Sequence, residues 1–401
     1  MIIKAAILRQ IYPTGLFRDS KPLQIETVEL DPPQAEEVLI QIKAAGLCHS
    51  DLVAIDGERP KPMPIVLGHE TMGIVAEVGP NVTAFEVGDH VIPSFVASCG
   101  KCSMCRTGRP GLCAPACKAN AEGTLMGGHI RLHQDGHRIF HHSGIAAFAE
   151  YAVMSVHSLV KIDPTIPPEH AALLGCAVMT GAGAVINTSE VTVGDTVAVV
   201  GAGGVGLSAM MAAVAAGSTK IIAIDISDEK LEITRKFGAT HAFNATDPDI
   251  VSKVKAQTDG GVHIAIESAG VPKALELAFD VTRIGGKTVA AGLPSPSRNV
   301  SISHFVLGAQ ERSLKGSYMG SCIPSRDIPK FLTMYQQGIL RIDHLAGDQI
   351  KLEDLNEAFD LMKRAARLEP FWCHDIGPLN RSCLIIQKGN VMCGRLLLCK
   401  G

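Results

Sequence analysis

The stretch VAVVGAGGVGLSAMMAAVAAG, residues 197–217, decides the fold. Its first four residues are apolar without alternation, the signature of a strand buried on both faces of a parallel sheet. Gly201-Ala202-Gly203-Gly204-Val205-Gly206 follows as G-x-G-x-x-G, and LSAMMAAVAAG reads as a small-residue helix. In that context the glycines permit a tight turn and close approach of backbone to a pyrophosphate, while the helix N-terminus offers N–H donors and the positive end of its dipole. Asp225 ends the next apolar run, KIIAID (220–225), nineteen residues after Gly206. A carboxylate there accepts hydrogen bonds from the adenosine ribose and repels a 2′-phosphate, so NAD is expected rather than NADP. Residues 197–219 carry no charge over a length that spans a bilayer, but their five glycines argue for strand, turn and helix instead.

Working outward, HIAIES (263–268) and KTVAAG (287–292) repeat the apolar-run pattern, with helix-length stretches such as DEKLEITRKFGA (228–239) between them. Parallel strands with crossover helices are implied, a doubly wound α/β domain. The first half differs. VLIQIKAAGLC (38–48), IVLGHETMGIVAEVG (65–79) and GDHVIP (88–93) are β-rich runs bounded by Gly and Pro. Near the end, IPKFLTMYQQGI (328–339) and LEDLNEAFDLMKRAA (352–366) have helical periods and are expected to return to the first domain. The expected organisation is residues 1–177 with 321–375 as one domain and 178–320 as the other. Residues 376–401 have no sustained period and are left unassigned.

The chain has 401 residues, 46% hydrophobic and 19% charged, enough apolar surface for about two or three folded domains. A net charge of −3 lacks the cationic excess that nucleic acid or an anionic membrane would require, so neither is an expected partner. Twelve cysteines would suit a disulfide framework only in a short secreted chain. MIIKAAILRQ at the N-terminus is not a signal-length segment, so a reducing cytoplasm and cysteines serving as ligands or buried thiols are expected.

Cys99, Cys102, Cys105 and Cys113 form C-x2-C-x2-C-x7-C in a Gly-rich loop. Four thiolates this close can complete a tetrahedral zinc shell with no open position, which means a structural site. Some ferredoxin loops begin with the same spacing, so an iron–sulfur cluster is the alternative. Cys48 in GLCHSD, His69 in GHE and Cys176 in LLGC are dispersed, and each alone reads equally well as a buried thiol or a hydrogen-bonded imidazole.

Taken together, GLCHSD, GHE, the four-cysteine loop, LLGC followed by Thr180-Gly181, and GAGGVG resemble, in order and spacing over about residues 1–360, the zinc-dependent medium-chain alcohol dehydrogenases. The resemblance implies a GroES-like β-rich domain and a Rossmann domain with the active site between them. It also implies a catalytic zinc on Cys48, His69 and Cys176 and a structural zinc on the four cysteines. Glu70 would sit behind the metal, Asp51 would orient His69, and Ser50 would relay the proton. His49 would touch the pyrophosphate, and Lys230, with Asp225, the ribose. Gly201, Gly203, Gly204, Val205, Gly206 and Thr180 complete the cofactor positions. The implied activity is reversible oxidation of a primary alcohol, with aromatic and medium-chain alcohols as candidates, to its aldehyde by a cytoplasmic homodimer or tetramer with two zinc ions per chain. S-(hydroxymethyl)glutathione dehydrogenase is one alternative, and a non-catalytic NAD-binding protein with a structural zinc is another.

Several positions depart from that pattern. Val53 stands where the relay usually ends in histidine, and Ala114-Pro115-Ala116-Cys117 lacks the arginine that glutathione-dependent members place after the fourth cysteine. The place of the pyrophosphate-binding arginine falls near Glu369, with Arg364 and Arg367 out of step. His129, His133, His137, His141 and His142 lie in the insertion at 118–145. Gln134-Asp135-Gly136 reads as a turn between strands, so they do not share a helical face and no third metal is expected. Val53, Phe95, Phe148 and Leu125 are the expected apolar pocket wall.

Overall fold

The computed structural model describes residues 1–367 and 383–387. The first part of the chain contributes β1 (Ile2–Leu8), β2 (Leu23–Leu30), β3 (Glu37–Gly46), β4 (Ile65–Val66), β5 (Glu70–Val78) and β6 (His90–Pro93). It continues with β7 (Leu132–Gln134), β8 (His137–His141), β9 (Tyr151–Ser155) and β10 (Leu159–Ile162). Strands β1, β2, β7, β8 and β4 close a barrel. β7 and β8 are the hairpin expected around Gln134-Asp135-Gly136, with Gln134 opposite His137. Arg131, just before β7, reaches the buried Glu37 of β3 through two hydrogen bonds of 2.8 and 3.0 Å, and so ties the insertion to the second sheet.

The Rossmann half is a parallel sheet of β11 (Thr196–Val200), β12 (Lys220–Asp225), β13 (His241–Asn244), β14 (Val262–Glu267), β15 (Thr282–Ala290) and β16 (Ser313–Gly316). Its order is β13-β12-β11-β14-β15-β16, so the chain reverses direction beside β11, where doubly wound sheets bind nucleotides. Every residue of β11 is buried, in keeping with its unalternating sequence. β13 and β16 are short strands at the sheet's two edges, and half-exposed polar sequence hides them from a hydrophobicity reading. No described helix alone is long and apolar enough to cross a membrane, and 197–217 divides into β11 and the Gly204–Ala215 helix.

The final strands return to the first half. The second sheet runs β10-β6-β5-β3-β18-β17, with β17 (Ala346–Ile350), β18 (Cys383–Gln387) and β9 also paired to β3. β18 lies parallel to β3 and antiparallel to β17. The unassigned 376–401 segment therefore supplies a strand to the first domain's sheet, too short at five residues to show a readable period beside irregular sequence. The Leu355–Arg367 helix returns as expected: Leu355, Ala358, Phe359 and Met362 are buried on one face, a spacing of three and four residues. Phe359 meets Phe148 edge-on at 6.1 Å between ring centroids. Phe359→Ala removes that contact and leaves a cavity, for an expected loss of about 3–5 kcal/mol in folding stability. A scanning-calorimetry midpoint equal to that of the unaltered chain would contradict this packing.

Candidate active site

Four elements converge at one end of β3. Cys48 precedes the His49–Ile55 helix in extended conformation, His69 lies between β4 and β5, Glu70 opens β5, and Cys176 sits at a break between helical segments. Ligand atoms of Cys48, His69, Glu70 and Cys176 all lie within 4.8 Å of one another. A hydrogen bond from Cys176 holds the Cys48 thiol well below its usual pKa, while the same hydrogen bond and burial push the Cys176 thiol well up. Burial pushes Glu70 up. Two sulfurs and an imidazole that meet beside a cavity are a donor set that fits a tetrahedral zinc with one open position.

Asp51 is the centre of the supporting network. Its Oδ1 accepts from Gly68 N–H at 3.1 Å and contacts Nδ1 of His69 at 3.2 Å and Nδ1 of His142 at 2.9 Å. Burial alone would raise the Asp51 carboxyl, but the charge of His69 and the hydrogen bonds from both imidazoles outweigh it and hold the group below the usual carboxylate range. With Nδ1 engaged, the other ring nitrogen of His69 is the one left for Cys48 and Cys176. His142 was legible only as one of five histidines in the insertion; nothing local in the sequence says that the hairpin carries it back to Asp51. Asp51, His69 and His142 lie close enough to bind a metal, yet the 2.9 and 3.2 Å contacts are hydrogen-bond distances within one carboxylate–imidazole network.

A cavity of about 730 Å³ runs from this cluster into the Rossmann half. Cys48, His69 and Cys176 line one end together with His49, Ser50 and Thr180, while Gly201, Gly203, Val205, Asp225 and Lys230 line the other. Asp51, Glu70, Gly204 and Gly206 stand behind the wall. Gly201 has φ +107°, and a Cβ on Gly206 would come within 1.8 Å of the Gly201 carbonyl, so this turn admits only glycine at both places. Asp225 receives the Ala202 N–H at 2.7 Å and the Ser227 N–H at 3.0 Å, and thereby fixes the loop as well as facing the cavity. The loop's exposed N–H groups at the start of the Gly204–Ala215 helix fit a dinucleotide pyrophosphate.

Of the expected apolar wall, only Phe95 lines the cavity. Phe148 and Leu125 are packed into the core instead, and Val53 is buried without lining the cavity. Tyr318 takes their place, edge-on to Phe95 at 5.8 Å. Ser50 Oγ accepts from Nη2 of Arg59 at 3.1 Å. Glu369 lies outside the described residues.

The four-cysteine loop forms a separate centre whose sulfurs also lie within 4.8 Å of one another. Backbone N–H groups of Lys101 and Cys102 donate to Cys99 Sγ at 3.4 and 3.3 Å. Backbone N–H donation from Cys105 lowers Cys102 to about 6, whereas burial pushes Cys113 up to about 12. Four sulfurs gathered together, none of them lining the large cavity, fit a closed structural zinc.

The family models for an alcohol dehydrogenase GroES-like domain and a zinc-binding dehydrogenase match residues 34–164 and 204–337. An S-(hydroxymethyl)glutathione dehydrogenase of Synechocystis sp. is 37% identical over 86% of this chain and 95% of its own length. Among solved structures, the benzyl alcohol dehydrogenase of Acinetobacter calcoaceticus is 34% identical with a TM-score of 0.83, covering 96% of this chain and 99% of its own. An alcohol dehydrogenase zinc-binding domain protein from Burkholderia ambifaria superposes with a TM-score of 0.85 at 32% identity, over 96% of this chain and 99% of its own.

Beside the site, His141 is buried and its Nε2 accepts the Arg131 N–H at 3.1 Å. Burial, then the charges of Arg131 and His133, lower it to about 3. An unfolded histidine titrates near ~6.5, so between about pH 6.5 and 3 the unfolded chain binds a proton that the folded one refuses. Stability is therefore expected to fall as pH drops through that window. Thermal midpoints at pH 7 and pH 5 should differ more for the unaltered chain than for His141→Asn, and equal differences would contradict the assignment.

Proposed function

The chain belongs to the zinc-dependent alcohol dehydrogenases, and from that membership we propose that it oxidises a primary alcohol to its aldehyde, reversibly, with NAD and two zinc ions. The observation that carries this reading is the cluster of Cys48, His69 and Cys176 opening onto a cavity that continues to the glycine loop. When bound, zinc supplies Lewis acidity toward the substrate oxygen and NAD accepts a hydride. Cys48 and Cys176 supply the thiolate charge, and His69 is held in one tautomer by Asp51. Ser50, which accepts from Arg59, keeps a lone pair and its own proton for the substrate hydroxyl. Val53 offers no onward acceptor, so a proton on Ser50 has no protein relay at that position and leaves toward water. Phe95 and Tyr318 exclude water from the reacting carbons.

Asp225 supports NAD over NADP through its negative charge at the nucleotide end. The exposed edge strand β16, with Ile284 and Phe305 exposed at 70% and 81%, supports a homodimer. The absence of disulfides among the described cysteines suits a reducing cytoplasm. S-(hydroxymethyl)glutathione remains a second candidate substrate through the Synechocystis relative, although no arginine follows Cys113 in the Ala114–Glu122 helix.

Replacing a ligand separates the two zinc sites. Cys48→Ser is expected to lower bound zinc from two to about one per chain and to cut NADH formation by on the order of 100-fold or more. Metal content by plasma mass spectrometry and absorbance at the NADH band report both. Full turnover with two zinc ions retained would overturn the ligand assignment.

A further inference from the structure

The catalytic end of the cavity carries two cations whose charge the chemistry described so far does not use. Arg59 and Lys61 both line it, on the segment between the His49–Ile55 helix and β4. Arg59 spends one N–H on Ser50 Oγ, and its charge is felt by Tyr318. The Lys61 charge is felt by His142. Both cations thus sit around the Phe95–Tyr318 wall, away from Asp225 and Lys230 at the nucleotide end. Neither makes an ion pair among the described residues. Glu58 precedes Arg59 but is exposed and unpaired with it, and the carboxylate of Asp51 is already engaged by Gly68, His69 and His142.

Two half-buried, unpaired cations are costly unless a ligand brings the opposite charge. Burial first, and then Arg59, push the Lys61 ammonium down, the cost expected of a cation without a counter-ion. An aromatic wall with guanidinium and ammonium groups beside it fits a flat apolar body that ends in an anion.

Resting on the dehydrogenase reading above, we infer that the preferred substrate is an alcohol bearing a carboxylate, which Arg59 and Lys61 hold while the hydroxyl meets the zinc ligands and Ser50. The reaction keeps its balance. The carbinol C–H bond breaks with its electron pair going to NAD, the hydroxyl proton leaves to solvent, and the carboxylate is unchanged. A hydroxymethyl-substituted aromatic acid and a glutathione hemithioacetal share this chemistry.

The test compares kcat/KM for 4-(hydroxymethyl)benzoate, S-(hydroxymethyl)glutathione and neutral benzyl alcohol in the zinc-loaded protein, in Arg59→Gln, in Lys61→Gln and in the double variant. Charge-assisted hydrogen bonds of about 1.5–3 kcal/mol correspond to a preference of roughly 10- to 100-fold for a carboxylated substrate over benzyl alcohol. That ratio should fall in each single variant and approach one in the double. Because the ratio is taken within each protein, any general effect of losing the Arg59–Ser50 hydrogen bond cancels. Calorimetric titration of the NADH complex with unreactive 4-methylbenzoate should show binding that weakens in the same order. Whichever carboxylated alcohol shows the larger ratio identifies the source of the anion. A ratio near one in the unaltered protein overturns the inference while leaving the dehydrogenase reading intact. A preference that the variants do not change, accompanied by weaker NADH binding, also overturns it and assigns the cations to the cofactor. No oxidation of any of the three alcohols overturns both readings.

Discussion

The close approach of the Ala177–Gly183 helix to the Gly204–Ala215 helix is the constraint on which the rest of the molecule depends. A Cβ on Gly181 would stand 2.1 Å from the Val205 carbonyl, so the two helices touch backbone to backbone. Cys176 begins the first of these helices and Val205 belongs to the cofactor loop that begins the second. One contact therefore sets the distance from Cys176 to the glycine loop. The apolar core runs without interruption from Ala44 and Met72 in the first half to Leu207 and Val199 in the second, and this fixes the orientation too. Hydride transfer needs two carbons held in line within a dry cleft, and a rigid junction between the halves is how the chain supplies that alignment.

The electrostatic arrangement follows from the same geometry. The buried Asp51 carboxylate is stable because two imidazoles and a backbone N–H surround one of its oxygens. That network turns His69 toward the thiols, where the hydrogen bond between Cys176 and Cys48 lowers the one thiol and raises the other. Cys48, Ser50 and Asp51 come from a single turn at the start of the His49–Ile55 helix, so the three side chains move together. The insertion hairpin reinforces the arrangement from outside, through His142 on Asp51 and Arg131 on Glu37.

The second domain could be read in the sequence because parallel strands buried on both faces leave apolar runs, and because the glycine loop is constrained residue by residue. The four cysteines were equally legible, being packed into fifteen residues. Cys48, His69 and Cys176 were legible only through the family resemblance, since each alone resembles an ordinary buried residue; their assembly depends on β3, β5 and a helix break meeting in space. His142 escaped for the same reason. Arg59 and Lys61 belong to no motif in the sequence, and only the fold turns their segment toward the cavity. Val53, Phe148 and Leu125 were misplaced because an apolar residue near a ligand motif serves the core as readily as the pocket. β18 was hidden by a sequence without periodicity, and its position rests on its pairing with β3 and β17.

The central claim is that the junction holds a carbinol carbon directly against the nicotinamide, and the fate of one hydrogen tests it most plainly. An alcohol carrying two deuterium atoms on its carbinol carbon is oxidised in ordinary water, and the reduced cofactor is examined by proton NMR. The account predicts one deuterium at C4 of the nicotinamide, on a single face, with no wash-out to solvent. Two protium atoms at that carbon, with no deuterium, would contradict it.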